Sequence, residues 1–403
     1  MNAIIHPHRL HGQVEIPSSK SCSHRLLIAA ALADAPTEVR VNALNNDILA
    51  TADCLRALGA DIERTEAGFL VRPIEALSPE MRMLDCSESG STLRFMLPVA
   101  AALGANCTFI GAGRLPERPN RILTDALNAH GAHTDSDLLP MLLSGRLSGG
   151  TYPIAGNVSS QYITGLLLAL PLFETDSEIT LTTPLESAAY IDITLEALSF
   201  FRIRIDRTER GWRIPGGQRY RSPGSIAAEG DWSGAAFWMT ANRLGSAVEC
   251  LGLNDHSAQG DRAIADILDH LGGEIDVSGT PDLVPALAVA AAAHPGTTRI
   301  TGAARLRIKE SDRLRTVADL LRALGATVDE LDDGLVIRGG RPFSGGTVNG
   351  CNDHRIVMAA AIAATVVEGP VIITDAQAVN KSYPSFFDAY NALGGFAHVE
   401  SDR

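Results

Sequence analysis

One local pattern returns along the chain and limits what it can fold into. A helix that closes on a Leu-x-x-Leu-Gly type of stop is followed each time by a strand. The stop reads Leu55-Arg56-Ala57-Leu58-Gly59-Ala60 and then Leu127-Asn128-Ala129-His130-Gly131-Ala132. It returns as Leu268-Asp269-His270-Leu271-Gly272-Gly273, Leu321-Arg322-Ala323-Leu324-Gly325-Ala326 and Tyr390-Asn391-Ala392-Leu393-Gly394-Gly395. A glycine-free version is Leu198-Ser199-Phe200-Phe201-Arg202. Glycine suits the position just past a helix end, where a left-handed backbone closes the last turn. The recurrence, roughly every 50 to 70 residues, is too long for a solenoid repeat.

The same series precedes every stop: an Ala-rich helix, a strand, a polar loop, then an amphipathic helix. The Ala-rich helices are expected at 26–33, 92–103, 162–172, 234–244, 283–293 and 356–367, with strands at 38–41, 107–110, 178–181, 247–250, 298–300 and 371–374. A run such as Ala359-Ala360-Ala361-Ile362-Ala363-Ala364 is apolar all round, which places its helix in the interior, whereas a single apolar stripe keeps the second helix nearer the surface. Six units predict an α/β chain of two similar domains. Each has three βαβαββ-type units with helices inside and sheets outside. The Pro/Gly-rich stretch 215–224 sets one boundary, giving a first domain over 20–228. The second comprises 1–19 plus 229–403, because the strand-like Gln13–Ile16 has no unit of its own and joins the C-terminal half. Two crossings between domains imply a double hinge.

Composition narrows the partners. The 403 residues carry a formal net charge of −13, so a nucleic-acid partner, which needs a basic surface, is not expected. A small anion needs only a local basic pocket. The six cysteines form no Cys-x-x-Cys pair and no cluster with histidine, which points to reduced thiols in a cytoplasm and to no metal site. No signal-like segment opens the chain, and the longest apolar runs fall far short of a membrane span. No exposed apolar stripe asks for a partner copy, so a monomer is expected.

The N-termini of the Ala-rich helices and the polar loops collect the chemistry-bearing residues. Helix starts carry Ser19-Lys20-Ser21 with Arg25, Gly90-Ser91 with Arg94, Ser159-Ser160-Gln161, Asp231, Asp282 and Asp353-His354-Arg355. The loops add Glu117-Arg118, Ser187 with Tyr190, Lys309-Glu310 with Arg313, and Lys381. In the Lys309 stretch, Ser311 or Asp312 caps a helix with Leu314, Val317, Leu320, Leu321 and Leu324 on one face. These places are equivalent from unit to unit, so pseudo-symmetric packing gathers them at one interdomain cleft. So many cations at helix N-termini need anions to balance them, most simply phosphates and carboxylates. A lysine beside a carboxylate there suits proton transfer around the bound anion.

At these residues the chain resembles the EPSP synthase, or 3-phosphoshikimate 1-carboxyvinyltransferase, branch of the enolpyruvyl transferase family. The carriers are Ser19-Lys20-Ser21, Gly90-Ser91, Glu117-Arg118-Pro119, Ser159-Ser160-Gln161, Tyr190-Ile191-Asp192, Lys309-Glu310-Ser311-Asp312-Arg313, Asn352-Asp353-His354-Arg355 and Lys381. The resemblance implies transfer of the enolpyruvyl group of phosphoenolpyruvate to the 5-hydroxyl of shikimate 3-phosphate, in the shikimate pathway to chorismate and the aromatic amino acids, without a cofactor. It implies that Lys20, Ser21, Arg25, Ser159, Ser160, Gln161, Ser187, Tyr190, Asp282 and Lys309 contact shikimate 3-phosphate. Lys20, Gly90, Arg118, Gln161, Arg313, Arg355 and Lys381 would hold phosphoenolpyruvate. Asp282, with Lys309, would take the hydroxyl proton and Glu310 would protonate the methylene carbon. Glu88, Phe95 and Arg305 depart from the family pattern. Two alternatives are the sister enzyme that acts on UDP-N-acetylglucosamine, whose reactive loop cysteine is missing from 113–119, and a non-catalytic anion-binding protein on the same fold.

Overall fold

A computed structural model describes residues 1–77 and 80–400 of the chain. It divides into two compact units, Ser18–Ala228 and Met1–Pro17 with Glu229–Arg403. The first break lies two residues before the expected one. Ser18 is tied to the first unit by its backbone N–H and hydroxyl, at 2.6 and 2.9 Å from Asn42 Oδ1, and Ser19 caps the helix that follows.

Within Ser18–Ala228, three four-stranded sheets surround a helical core. Residues Arg82–Asp85, Gly90–Leu103, Cys107–Ile110, Arg121–Asn128, Ala132–Thr134 and Met141–Gly145 run strand, helix, strand, helix, strand, strand. The outer strand Arg82–Asp85 lies parallel to Cys107–Ile110, which pairs antiparallel with Met141–Gly145. The unit over Thr151–Ile154 to Gly211–Ile214 repeats this order. The first unit begins with its buried helix, Lys20–Ala31, and borrows its outer parallel strand, Ser225–Ala227, from the end of the segment. The helices Lys20–Ala31, Gly90–Leu103 and Ser160–Ala169 are buried along nearly their whole length. Gly90–Leu103 and Ser160–Ala169 pack so closely that a Cβ on Gly165 would sit 2.3 Å from the Arg94 carbonyl oxygen.

The second unit repeats the scheme with one truncation. Its complete sheets are built on Gly296–Thr301 and on Val367–Thr374. The remaining sheet has two strands, His11–Glu15 parallel to Ala247–Leu251, and carries no hairpin. The N-terminal segment therefore contributes twice, because Asn2–His6, a strand the sequence reading did not assign, pairs antiparallel with both Val367–Thr374 and Phe396–Glu400. That strand is short and only Ala3 and Ile5 face the core, too brief an alternation to stand out. The helices Trp232–Arg243, Val284–Ala293 and His354–Ala363 form the interior and pack on one another. Each unit thus has its own hydrophobic core. Among the described residues, no helix is long and apolar enough to cross a membrane.

Candidate active site

Each unit brings its helix starts together, but the two clusters balance charge differently. In Ser18–Ala228, Ser19, Ser89 and Ser159 cap the three buried helices through their hydroxyls. Capping satisfies backbone N–H groups that would otherwise point outward unpaired. Lys20 opens the first helix and donates to Asp47 Oδ2 at 2.9 Å. Arg25, one turn further, is 1% exposed. Its Nε donates to Thr194 Oγ1 at 2.7 Å, its Nη1 to the Ser21 carbonyl at 2.5 Å and its Nη2 to the Tyr190 carbonyl at 3.0 Å. The Phe95 ring lies 5.0 Å from that guanidinium, a cation–π contact made by one of the residues that departs from the family pattern. Burial among neutral partners lowers the Arg25 pKa to about 10.

Arg94 is fixed by Asn120 Oδ1 at 3.1 Å and Gln161 Oε1 at 2.6 Å, and Gln161 in turn donates to Ser91 Oγ at 2.8 Å. Gln161 is thereby oriented beside Ser160 and Gly90 at two adjacent helix starts. Arg118 is 7% exposed, and among the described residues its guanidinium has no hydrogen-bond or carboxylate partner. A Cβ on Gly90 would fall 2.7 Å from Arg118 Nη1, so only glycine leaves the guanidinium where it stands. Ser187 is buried and holds a left-handed backbone, φ +54°, at the start of the helix Ala188–Phe200, with Tyr190 in its first turn.

In the second unit the cations meet carboxylates. Asp312 caps the helix Arg313–Ala323 by accepting from the Arg315 N–H, which decides between the two capping candidates. Arg313 is 1% exposed and serves three carboxylates at once. Its Nη1 lies 2.8 Å from Asp282 Oδ1, its Nη2 2.6 Å from Glu310 Oε2 and its Nε 2.8 Å from Asp353 Oδ2. Arg355 Nη2 reaches Asp282 Oδ2 at 3.0 Å, and Lys309 Nζ lies 3.7 Å from Asp282 Oδ1. Lys381 Nζ donates to the Asn352 carbonyl at 2.5 Å, beside the Asp353 cap of the helix His354–Ala363. Burial alone would raise the Asp282 pKa, but Arg355, Lys309 and Arg313 together hold it well below the usual carboxylate range. The Arg313 guanidinium, despite its burial, is driven further toward its charged form by Asp353, Glu310 and Asp282. Asp282 is thus a carboxylate shared by three cations, and Glu310 reaches the same guanidinium from the opposite side of its fork.

Arg305 donates to the Ser278 carbonyl at 2.7 Å. The sequence reading singled out neither Asn120 and Thr194, which fix the arginines, nor Asp261. Neutral polar partners carry no distinguishing signal in a single sequence; Asp261 sits in the fourth polar loop, where the unit-to-unit equivalence could have flagged it.

Comparison with known proteins gives the family and the fold. A family model described as EPSP synthase (3-phosphoshikimate 1-carboxyvinyltransferase) matches residues 4–280 and 272–390. The chain is 41% identical to the 3-phosphoshikimate 1-carboxyvinyltransferase of Clostridium kluyveri, over 97% of each chain. It is 41% identical to the protein of the same name from Clostridium acetobutylicum, over 99% of each. Among solved structures, an EPSP synthase from Acinetobacter baumannii superposes with a TM-score of 0.82 at 25% identity, covering 99% of this chain and 100% of that one. An enolpyruvyl transferase from Streptomyces tendae shares the fold, with a TM-score of 0.78 at 20% identity and 98% of each chain covered.

Proposed function

The chain belongs to the EPSP synthase family, and on that premise we propose that it transfers the enolpyruvyl group of phosphoenolpyruvate to the 5-hydroxyl of shikimate 3-phosphate, releasing phosphate. The observation that carries the reading is the pairing of a buried guanidinium without a counter-ion among the described residues, Arg118 beside Gly90, with a separate cluster in which Lys309, Arg313 and Arg355 converge on Asp282. The first attracts an anion; the second combines anion binding with a carboxylate base. That both clusters serve one pair of substrates is part of the proposal.

In this reading Lys20, Ser21, Arg25, Ser159, Ser160, Gln161, Ser187 and Tyr190 hold shikimate 3-phosphate, and Lys20, Gly90, Arg118, Gln161, Arg313, Arg355 and Lys381 hold phosphoenolpyruvate. Asp282, assisted by Lys309, accepts the 5-hydroxyl proton as that oxygen attacks the carbon bearing the phosphate. Glu310 gives a proton to the methylene carbon and later removes one from the resulting methyl group, expelling phosphate. The proton from the hydroxyl leaves with the phosphate, so the step balances. Arg313 ties both carboxylates to one guanidinium, which suits two proton transfers a few ångströms apart, while the cations stabilise the charge of the tetrahedral intermediate.

A phosphate-release assay with shikimate 3-phosphate and phosphoenolpyruvate tests the reading. Release with UDP-N-acetylglucosamine as the only acceptor would favour the sister activity, and binding without release would favour a non-catalytic protein. The six free thiols fit a reducing cytoplasm. The working unit we propose is a monomer, which sedimentation checks.

A further inference from the structure

The second unit contains a buried carboxylate, Asp261, to which this mechanism gives no role. Asp261 lies on the short turn Gly260–Ala263 and is 4% exposed. Among the described residues no cation lies within ion-pair distance of it. Its Oδ2 accepts a hydrogen bond from Ser233 Oγ, in the first turn of the helix Trp232–Arg243. The turn Pro281–Leu283, which carries Asp282, packs against the same helix. Asp261 therefore lies close enough to Asp282, Arg355 and Asp231 for their charges to act on it. Behind these stand Lys309, Arg313 and Glu310, which all act on Asp282.

An isolated buried carboxylate is costly in its charged form, and a like-charged neighbour adds to that cost. Here the Ser233 hydroxyl and the Arg355 charge favour ionisation, while burial, Asp282 and Asp231 oppose it. The carboxyl is pushed up to about 7. An anion that engages Arg355 weakens the support that this cation gives to the Asp261 charge.

We propose that Asp261 is a positioning residue of the acid–base centre whose negative charge opposes phosphoenolpyruvate binding, so that filling the Arg313–Arg355 cluster with an anion is linked to proton uptake at Asp261. The proposal rests on the transferase reading for its ligand. The charge count gives its sense. Lys309, Arg313 and Arg355 meet Asp282, Glu310 and Asp353, with Asp231 nearby, and the ionised Asp261 adds one further negative charge that its protonated form withdraws. At low pH the pocket is primed for a multiply charged anion; as pH rises through neutrality it is not.

Phosphate release is measured between about pH 6 and 8.5 at saturating shikimate 3-phosphate, because kcat/KM reports groups of the free enzyme. Relative to Asp261→Asn, which cannot acquire the charge, the wild-type kcat/KM for phosphoenolpyruvate is expected to fall by on the order of tenfold as pH rises through 7, chiefly in KM. Ser233→Ala loses the hydroxyl that favours the charged form and shifts the fall to higher pH. This second variant decides the matter if the first does not fold. Parallel pH profiles in all three proteins overturn the proposal. Wild-type protein that releases no phosphate at any pH would refute the transferase reading alone. In that case the 13C shift of the Asp261 carboxyl, identified by its loss in Asp261→Asn, decides. A midpoint near neutrality that rises on adding orthophosphate supports the proposal, and one that stays fixed overturns it.

Discussion

The two units are built from one repeated scheme yet treat their buried arginines in opposite ways. In Ser18–Ala228, Arg25 donates to hydroxyls and carbonyls, and Arg118 stands beside Gly90 with no counter-charge among the described residues. In the other unit, Arg313 is wrapped by Asp282, Glu310 and Asp353. Neutral partners hold a guanidinium in place without spending its charge, so the first unit keeps a field for an incoming anion. Carboxylate partners cancel the charge but remain available as acids and bases once an anion competes for the cation. The opposite shifts of the two arginines, Arg25 down to about 10 and Arg313 up, record the same contrast.

Four substitutions break or sharpen that contrast, taken in order of expected effect. Glu310→Gln keeps a hydrogen-bond acceptor for Arg313 but removes the proton, so phosphate release should drop by about 10²- to 10⁴-fold, with shikimate 3-phosphate binding by calorimetry retained. Undiminished turnover would remove Glu310 from the mechanism. Arg313→Met strips three carboxylates, the Asp353 one fully buried, of their shared cation and should cost about 3–5 kcal/mol of unfolding free energy in denaturant titrations. Arg118→Met should behave the other way. Removing a buried cation that has no partner among the described residues leaves stability unchanged or higher, while the KM for phosphoenolpyruvate rises by at least about tenfold, the loss of one charge-assisted contact. A matching stability loss in both arginine variants would erase the distinction between the units. Gly90→Ala is the mildest: its methyl group moves the Arg118 guanidinium by a few tenths of an ångström or more, raising KM several-fold, worth about 1 kcal/mol, with kcat nearly kept.

Much of the site could be read from the sequence because helix N-termini announce themselves. Ser19, Ser89, Ser159, Asp312 and Asp353 sit where a cap must sit, immediately before apolar periodic runs, and each does cap its helix. The cations of the candidate site lie within a few residues of those caps or in the loops that follow the strands. The truncated fourth unit and the strand Asn2–His6 escaped because a missing hairpin leaves no mark and two inward residues make no pattern. Asp261 escaped for a different reason. A carboxylate in a polar loop looks solvated until packing on the Trp232–Arg243 helix shows it buried.

By itself the sequence determined the six-fold alternation of buried and amphipathic helices, since periodicity and chain-closing glycines are local properties that each segment carries alone. It also determined which residue types gather at helix starts, because capping and anion binding are fixed by the nearest backbone groups. Only the tertiary structure decided which charges meet. Arg313 draws on Asp282 and Asp353, 31 and 40 positions away, and Arg25 on Thr194, 169 positions away. Partner choice over such separations depends on how the helices pack, and at close range in a dry interior that choice sets whether a group is a held cation, a base or a proton store.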